Sequence, residues 1–152
     1  MFHVALWEPE IPPNTGNVAR LCAATRTTLW IVGQPSFRMD EKSIKRAGLD
    51  YWPFVRINHL GSLENLESAF QENRLWCFTV KASKIYTEAS FQPGDCLLFG
   101  PESRGLPREF LARHADESLI IPMSQPNVRS LNLSTSAGIG LFEALRQNGF
   151  PS

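Results

Sequence analysis

The sequence predicts an α/β domain with a mainly parallel sheet, and three observations carry that expectation. The apolar runs HVALW, TLWIVG, RLWCFTV, DCLLFG and SLIIPM lack polar alternation, as strands covered on both faces do. Stretches with helical spacing of apolar residues separate them. Glycines and prolines such as Gly33, Pro35 and Gly100 stand where the runs stop.

Taken in order, His3 to Trp7 reads as a buried strand ended by the loop EPEIPPNTGN. A helix follows, with Asn14 or Thr15 as its cap and Val18, Leu21 and Cys22 spaced for an inward face. Thr28 to Gly33 is the next strand, and Asp40 to Ala47 a short helix with Gly48 past its end. Tyr51 to Ile57 reads as a strand, and Ser62 to Gln71 as a helix opened by a capping pattern. Strands at Arg74 to Val80 and Asp95 to Gly100 lead to a short helix at Pro107 to Arg113. Ser118 to Met123 is a last strand, and Leu133 to Asn148 a long closing helix with Asn132 and Ser134 as capping residues.

At 152 residues the chain suits one domain, residues 1–152, able to bury roughly two thirds of its unfolded surface. Its hydrophobic share of 43% and charged share of 20% are globular values, and no run approaches the ~18 apolar residues of a membrane span. The start MFHVALWEPE has no basic leader and no small-residue cleavage site, so a cytoplasmic location is expected. Cys22, Cys77 and Cys96 lie in apolar runs without metal-ligand spacing, which suits reduced, packed thiols. The net charge of zero argues against wrapping nucleic acid by bulk attraction, but Arg38, Lys42, Lys45 and Arg46 form a local basic patch.

Ligands of parallel sheets bind beyond the carboxyl ends of the strands, so the loops after Val80, Gly100 and Ile121 are the places to search. FGPESRGLP, Phe99 to Pro107, sets Glu102, Ser103 and Arg104 between two glycines. IPMSQPNVRSLNLSTS, Ile121 to Ser136, brings Arg129, Ser130 and Asn132 to a helix start. In the last helix Ser134, Ala137, Gly138, Leu141, Phe142 and Leu145 share one stripe, whose small residues suit core packing or a dimer contact. No G-x-G-x-x-G follows a strand, there is no Walker loop, H-E-x-x-H or G-x-S-x-G, and His3, His59 and His114 are scattered. Hydride transfer on a dinucleotide site, metal hydrolysis and triad chemistry therefore lack support.

N-T-G-N-x-x-R at Asn14 to Arg20, F-G-P-E-S-R-G at Phe99 to Gly105, and I-P-M with R-S-L-N-L-S at Ile121 to Ser134 coincide in order and spacing. Together they closely resemble the SPOUT superfamily of RNA methyltransferases, and within it the small TrmL-type tRNA 2'-O-methyltransferases, over nearly the whole chain. The resemblance implies an α/β-knot fold with a C-terminal trefoil knot and S-adenosylmethionine bound in the knot without a metal. It also implies a homodimer whose active sites draw on both subunits. It places Phe78, Gly100, Ile121, Ser130, Leu131 and Asn132 at the cofactor, largely through backbone. Asn14, Arg20, Glu102 and Ser134 become the catalytic set, with Arg129 and the Arg38 to Arg46 patch facing tRNA. Arg26 and Phe142 stand where such proteins commonly have glycine and tyrosine.

The implied reaction is methylation of a ribose 2'-hydroxyl, with the wobble nucleotide of an anticodon loop, cytidine or a modified uridine, as the expected target. Arg20 is expected to stay cationic and stabilise the developing alkoxide while the proton leaves to phosphate or water. Two alternatives stand beside it: an RNA-binding module of the same fold without methyl transfer, and a methyltransferase acting on another tRNA site or on ribosomal RNA.

Overall fold

A computed structural model describes residues 1–38 and 52–151. Its strands are β1 (His3–Trp7), β2 (Thr28–Val32), β3 (Arg56–Leu60), β4 (Leu75–Phe78), β5 (Cys96–Phe99) and β6 (Ser118–Leu119). The helices are α1 (Pro12–Ala24), α2 (Leu63–Ala69), α3 (Arg108–Arg113) and α4 (Leu133–Gln147). The six strands form one sheet in the order β3-β2-β1-β5-β4-β6, with every neighbouring pair parallel.

The continuous apolar runs become strands because each successive residue has a different hydrophobic layer to enter. Leu97 and Phe99 join Val4, Leu6, Leu29, Ile31, Trp76 and Phe78 under α1 and α4. Leu98 and Cys96 face the other way, with Ala5, Val32 and Cys77 under Leu66 of α2 and Phe110 of α3. Neither Leu97 nor Leu98 is exposed, and each such side chain stabilises the sheet by about 1.5–3 kcal/mol. Cys22, Cys77 and Cys96 are free and buried; burial pushes the Cys22 thiol up to about 12 and raises the other two, which makes them packing groups.

Four element boundaries depart from the sequence reading. Neither Asn14 nor Thr15 caps α1, which starts at Pro12 after Ile11. Its first two positions are prolines, whose missing N–H groups need no cap. The strand expected at Tyr51 to Ile57 begins only at Arg56, because Pro53 sits in a 3-10 turn, Trp52–Phe54, and cannot donate to a ladder. The last strand stops at Leu119 apart from one parallel bridge between Ile120 and Ile85, and Pro122 follows. Ser134 lies inside α4, whose cap is Asn132 alone. The helix expected at Asp40 to Ala47 lies outside the described residues. Ser62 does cap α2, accepting from the Asn65 N–H at 3.1 Å.

The turn from α1 to β2 explains why glycine is common where this chain has Arg26. Arg26 is exposed with φ +55°, a left-handed conformation that costs an L-residue about 1–2 kcal/mol. Arg26→Gly relieves that strain, partly offset by the larger unfolded-state freedom of glycine. The expected net gain of about 0.5–1 kcal/mol appears as a rise of about 1–4 °C in melting temperature.

At the start of β1 the Trp30 indole N–H donates to His3 Nδ1 at 3.0 Å, and the Phe70 ring stands edge-on to the imidazole at 5.0 Å. Only an imidazole whose Nδ1 carries no proton accepts that bond. Burial, and then the nearby N-terminal charge, lower the His3 pKa below its ordinary 6.5. A depressed histidine contributes stability that is complete above its unfolded value and is lost as pH falls through the folded one. Thermal melts should therefore drop as pH is lowered from 6.5, with a shallower descent in His3→Gln.

Candidate active site

The order of strands reverses between β1 and β5, which lie side by side with Leu6 level with Phe99. The chain leaving β1 builds α1 on one face, and the chain leaving β5 builds α3 on the other. Diverging loops leave a crevice at the carboxyl ends of the strands, where sheets of this type hold ligands. A cavity of about 490 Å³ lies there. Its walls are the exits of β4 and β5, Ile121 and Met123 after β6, the run from Arg129 to Leu133, and Ile11 and Asn14 of the α1 start.

All six residues that the motifs assigned to a cofactor, Phe78, Gly100, Ile121, Ser130, Leu131 and Asn132, line this cavity, as do Asn14, Glu102 and Arg129. The Phe78 ring is turned inward and stacks on Phe99 at 4.8 Å, so this residue meets the cavity mainly through its main chain. A β-carbon at Gly140 of α4 would come within 2.7 Å of that ring, so glycine there lets α4 lie close on β4. At Gly100 a β-carbon would sit 2.5 Å from the Gly105 carbonyl carbon, so the β5 exit can fold back on itself only with glycine. Arg20 is exposed on α1 and Ser134 lies between the lining residues Leu133 and Ser136; neither lines the cavity. Arg38 is exposed and also away from it, while Lys42, Lys45 and Arg46 lie outside the described residues.

Four of the motif polar groups, Glu102, Asn14, Asn132 and Ser134, are joined by hydrogen bonds. Glu102 Oε1 accepts the Glu10 N–H at 2.9 Å, and Oε2 accepts the Ile11 N–H at 2.9 Å and Asn14 Nδ2 at 3.1 Å. Asn14 Oδ1 accepts Asn132 Nδ2 at 3.0 Å. Asn132 Oδ1 in turn accepts the Ser134 N–H and hydroxyl and the Thr135 N–H, at 2.9, 2.6 and 3.3 Å. A continuous chain thus joins the β5 exit, the start of α1 and the start of α4. Asn14 is 7% exposed, and with both ends of its amide bonded it fixes the spacing of the two helices.

Sequence reasoning missed a clasp beside this chain. Glu10 accepts the Ser103 N–H and hydroxyl at 2.8 and 2.9 Å, and those bonds hold its carboxyl below the ordinary carboxylate value. Arg104 pairs with Glu8 and lies 4.8 Å above the Trp7 ring, and Glu8 accepts the Gln34 N–H at 3.3 Å. Residues 102, 103 and 104 therefore all turn onto the β1–α1 loop. The acceptor, hydroxyl and cation that the sequence offered to a ligand are used within the protein. Alternating Glu8 and Glu10 in a proline-rich loop was the visible signal.

On the other side of the cavity the Ile120 N–H donates to the Lys84 carbonyl at 2.8 Å, and the Tyr86 N–H to the Ile120 carbonyl at 3.0 Å. The strand-like run after β6 thus lies against the segment following β4 before the chain returns along the cavity into α4. This arrangement fits the trefoil crossing.

The SpoU rRNA Methylase family model matches residues 1–142. The chain belongs to that family. Among SpoU relatives, the tRNA (cytidine(34)-2'-O)-methyltransferase of Escherichia coli (strain K12) is 43% identical over 152 residues, covering 99% of this chain and 96% of that protein. A solved structure described as "Structural insights into the 2-OH methylation of C/U34 on tRNA" superposes with a TM-score of 0.92 at 44% identity, covering 99% of this chain and 98% of that one. An AdoMet-bound rRNA methyltransferase from Sinorhizobium meliloti superposes with a TM-score of 0.81 at 27% identity, over 95% of this chain and 56% of that one. The parallel sheet flanked by helices is thus the SpoU fold, as the motif resemblance implied. Arg26 and Phe142, the two departures from the motif pattern, lie outside the cavity.

Proposed function

We propose that this chain is an S-adenosylmethionine-dependent methyltransferase of the tRNA wobble position, acting on the ribose 2'-hydroxyl of nucleotide 34 as a cytoplasmic homodimer of one-domain subunits. The observation that carries the reading is convergence: motif blocks 88 and 118 residues apart, Glu102 and Asn132 from Asn14, bond to one another at the wall of one cavity. Relatives 43–45% identical along the whole chain are named for cytidine 34. Among the described residues no helix is long and apolar enough to cross a membrane.

The cavity suits the cofactor chemically. Its volume falls in the range of about 300–1,000 Å³ usual for small-molecule sites, and Ile121, Leu131 and Leu133 give apolar walls beside main-chain polar groups. When bound, S-adenosylmethionine supplies an electrophilic methyl group on a sulfonium. The protein holds the loops in register through the Glu102–Asn14–Asn132 chain, which keeps the cavity wall in place for alignment of the reactants. Arg20 stabilises the charge that develops on the ribose oxygen, and the proton passes to phosphate or water.

Arg20 lies off the cavity of its own chain, which fits a site completed by the α1 of a second copy. The outer face of α4 suits that contact. Phe142 is 46% exposed and Phe150 56%, their rings 6.4 Å apart, and a β-carbon at Gly138 would meet nothing within 4 Å.

Tritium transfer from labelled S-adenosylmethionine to tRNA transcripts, followed by mass spectrometry of nuclease fragments, tests the reading. The expected product carries the methyl on the ribose of nucleotide 34. Methyl on another nucleotide, or cofactor binding without transfer to any tRNA, overturns it.

A further inference from the structure

The cavity carries a cation, Lys81, that none of the motif blocks contains, beside Arg129, which the motif resemblance already turned towards RNA. Three cations line it: Lys81, Arg104 and Arg129. Arg104 is compensated by Glu8 and lies over Trp7. Glu102 is the only carboxylate in the wall among the described residues, and its oxygens already serve three donors. Lys81 and Arg129 make no ion pair among the described residues and are exposed. Two uncompensated cations therefore face one opening in a chain whose net charge is zero.

Lys81 is also held in place. It follows the exit of β4 in a tight turn, its N–H donating to Thr79 Oγ1 at 3.1 Å and the Ala82 N–H reaching the Thr79 carbonyl at 3.4 Å. Its main chain is thus fixed three residues past β4, and both it and the loop that carries Arg129 line the cavity. S-adenosylmethionine carries a sulfonium and an ammonium against one carboxylate, so it is a net cation at neutral pH. Two lysine- and arginine-type charges beside it call for an anion from another source.

Building on the methyltransferase reading above, we propose that Lys81, together with Arg129, receives a backbone phosphate of the RNA and so positions the target nucleotide at the cavity mouth. A phosphate held between two loops fixes the RNA without reading its sequence. It replaces the compensation that the protein leaves undone.

Lys81→Gln, Lys81→Arg and wild type, compared on tRNA transcripts, test this assignment. The expected result for Lys81→Gln is a KM for tRNA raised about 5- to 10-fold with kcat little changed, and a plot of log affinity against log salt shallower by about 0.7–0.9. Lys81→Arg restores both, and calorimetric affinity for S-adenosylmethionine stays within about twofold of wild type, because a point charge is conserved and the cofactor is not the anion. Unchanged tRNA affinity and salt slope in Lys81→Gln overturn the assignment. So does weakened cofactor affinity with tRNA binding intact, which would make the cofactor carboxylate the anion. A wild-type protein that neither binds nor methylates tRNA removes the parent reading and this one together.

Discussion

Replacing Arg20 by lysine lowers kcat roughly 10²- to 10³-fold, the usual cost of one preorganised donor at a developing oxyanion, and leaves S-adenosylmethionine affinity unchanged. The cofactor should not notice the change because Arg20 does not line the cavity of its own chain. Turnover should, because lysine keeps the charge but not the planar fork that aligns on an oxygen and an adjacent phosphate at once. The sharper test concerns which cavity Arg20 serves. Leu131→Trp fills the cavity of the subunit that carries it, since Leu131 is in its wall. Mixing Arg20→Lys with Leu131→Trp and allowing subunits to exchange pairs one intact cavity with one intact Arg20 in each mixed dimer. Half the dimers are mixed and each holds one working site, so activity returns to about a quarter of wild type if α1 reaches across a two-fold interface. Activity that stays at the level of either parent would confine Arg20 to its own subunit. Full turnover by Arg20→Lys alone would remove it from the chemistry.

The sequence disclosed the parts of this molecule that follow local rules. RLWCFTV and DCLLFG are legible as central strands because Leu75 to Phe78 and Cys96 to Phe99 each enter one of two apolar layers, and the cavity residues are legible because they follow strand ends. RINHL was obscured because β3 sits at an edge, where Asn58 and His59 are exposed and no continuous apolar run is needed. The start of α1 was misread because prolines at its first two positions leave no N–H to cap, while the N–H groups of Glu10 and Ile11 just before it go to a carboxylate 92 and 91 residues away, which no local capping rule contains. The same limit hid the division of labour inside FGPESRGLP: three polar side chains look available for a ligand until the fold sets Glu8, Glu10 and Asn14 against them. Arg26 shows the reverse case. Its departure from glycine was visible in the sequence, but its meaning is a backbone matter, a left-handed residue in an exposed turn.

Glu102→Gln separates a positioning carboxylate from a catalytic one. In the native protein two carboxylate oxygens accept from two main-chain N–H groups and from Asn14 Nδ2. Glutamine keeps one acceptor oxygen and turns an N–H₂ donor towards groups that are themselves donors. Hydrogen bonds to charged groups contribute about 1.5–3 kcal/mol, so the melting temperature should fall by about 4–8 °C for a domain of this size. At 25 °C the variant remains folded, yet kcat should fall by about tenfold or more. The β1–α1 loop loses its anchor and Asn14 loses half its bonds, so α1 drifts against the cavity wall by a fraction of an ångström to an ångström. A carboxylate acting as the base would give a different signature, since its removal abolishes the acidic limb of the pH–rate profile. With Glu102 bonded to the loop, the profile of Glu102→Gln should keep the wild-type midpoint at a lower height. A displaced or missing limb would return Glu102 to the reacting atoms and assign the loop clasp to Glu8 and Glu10 alone.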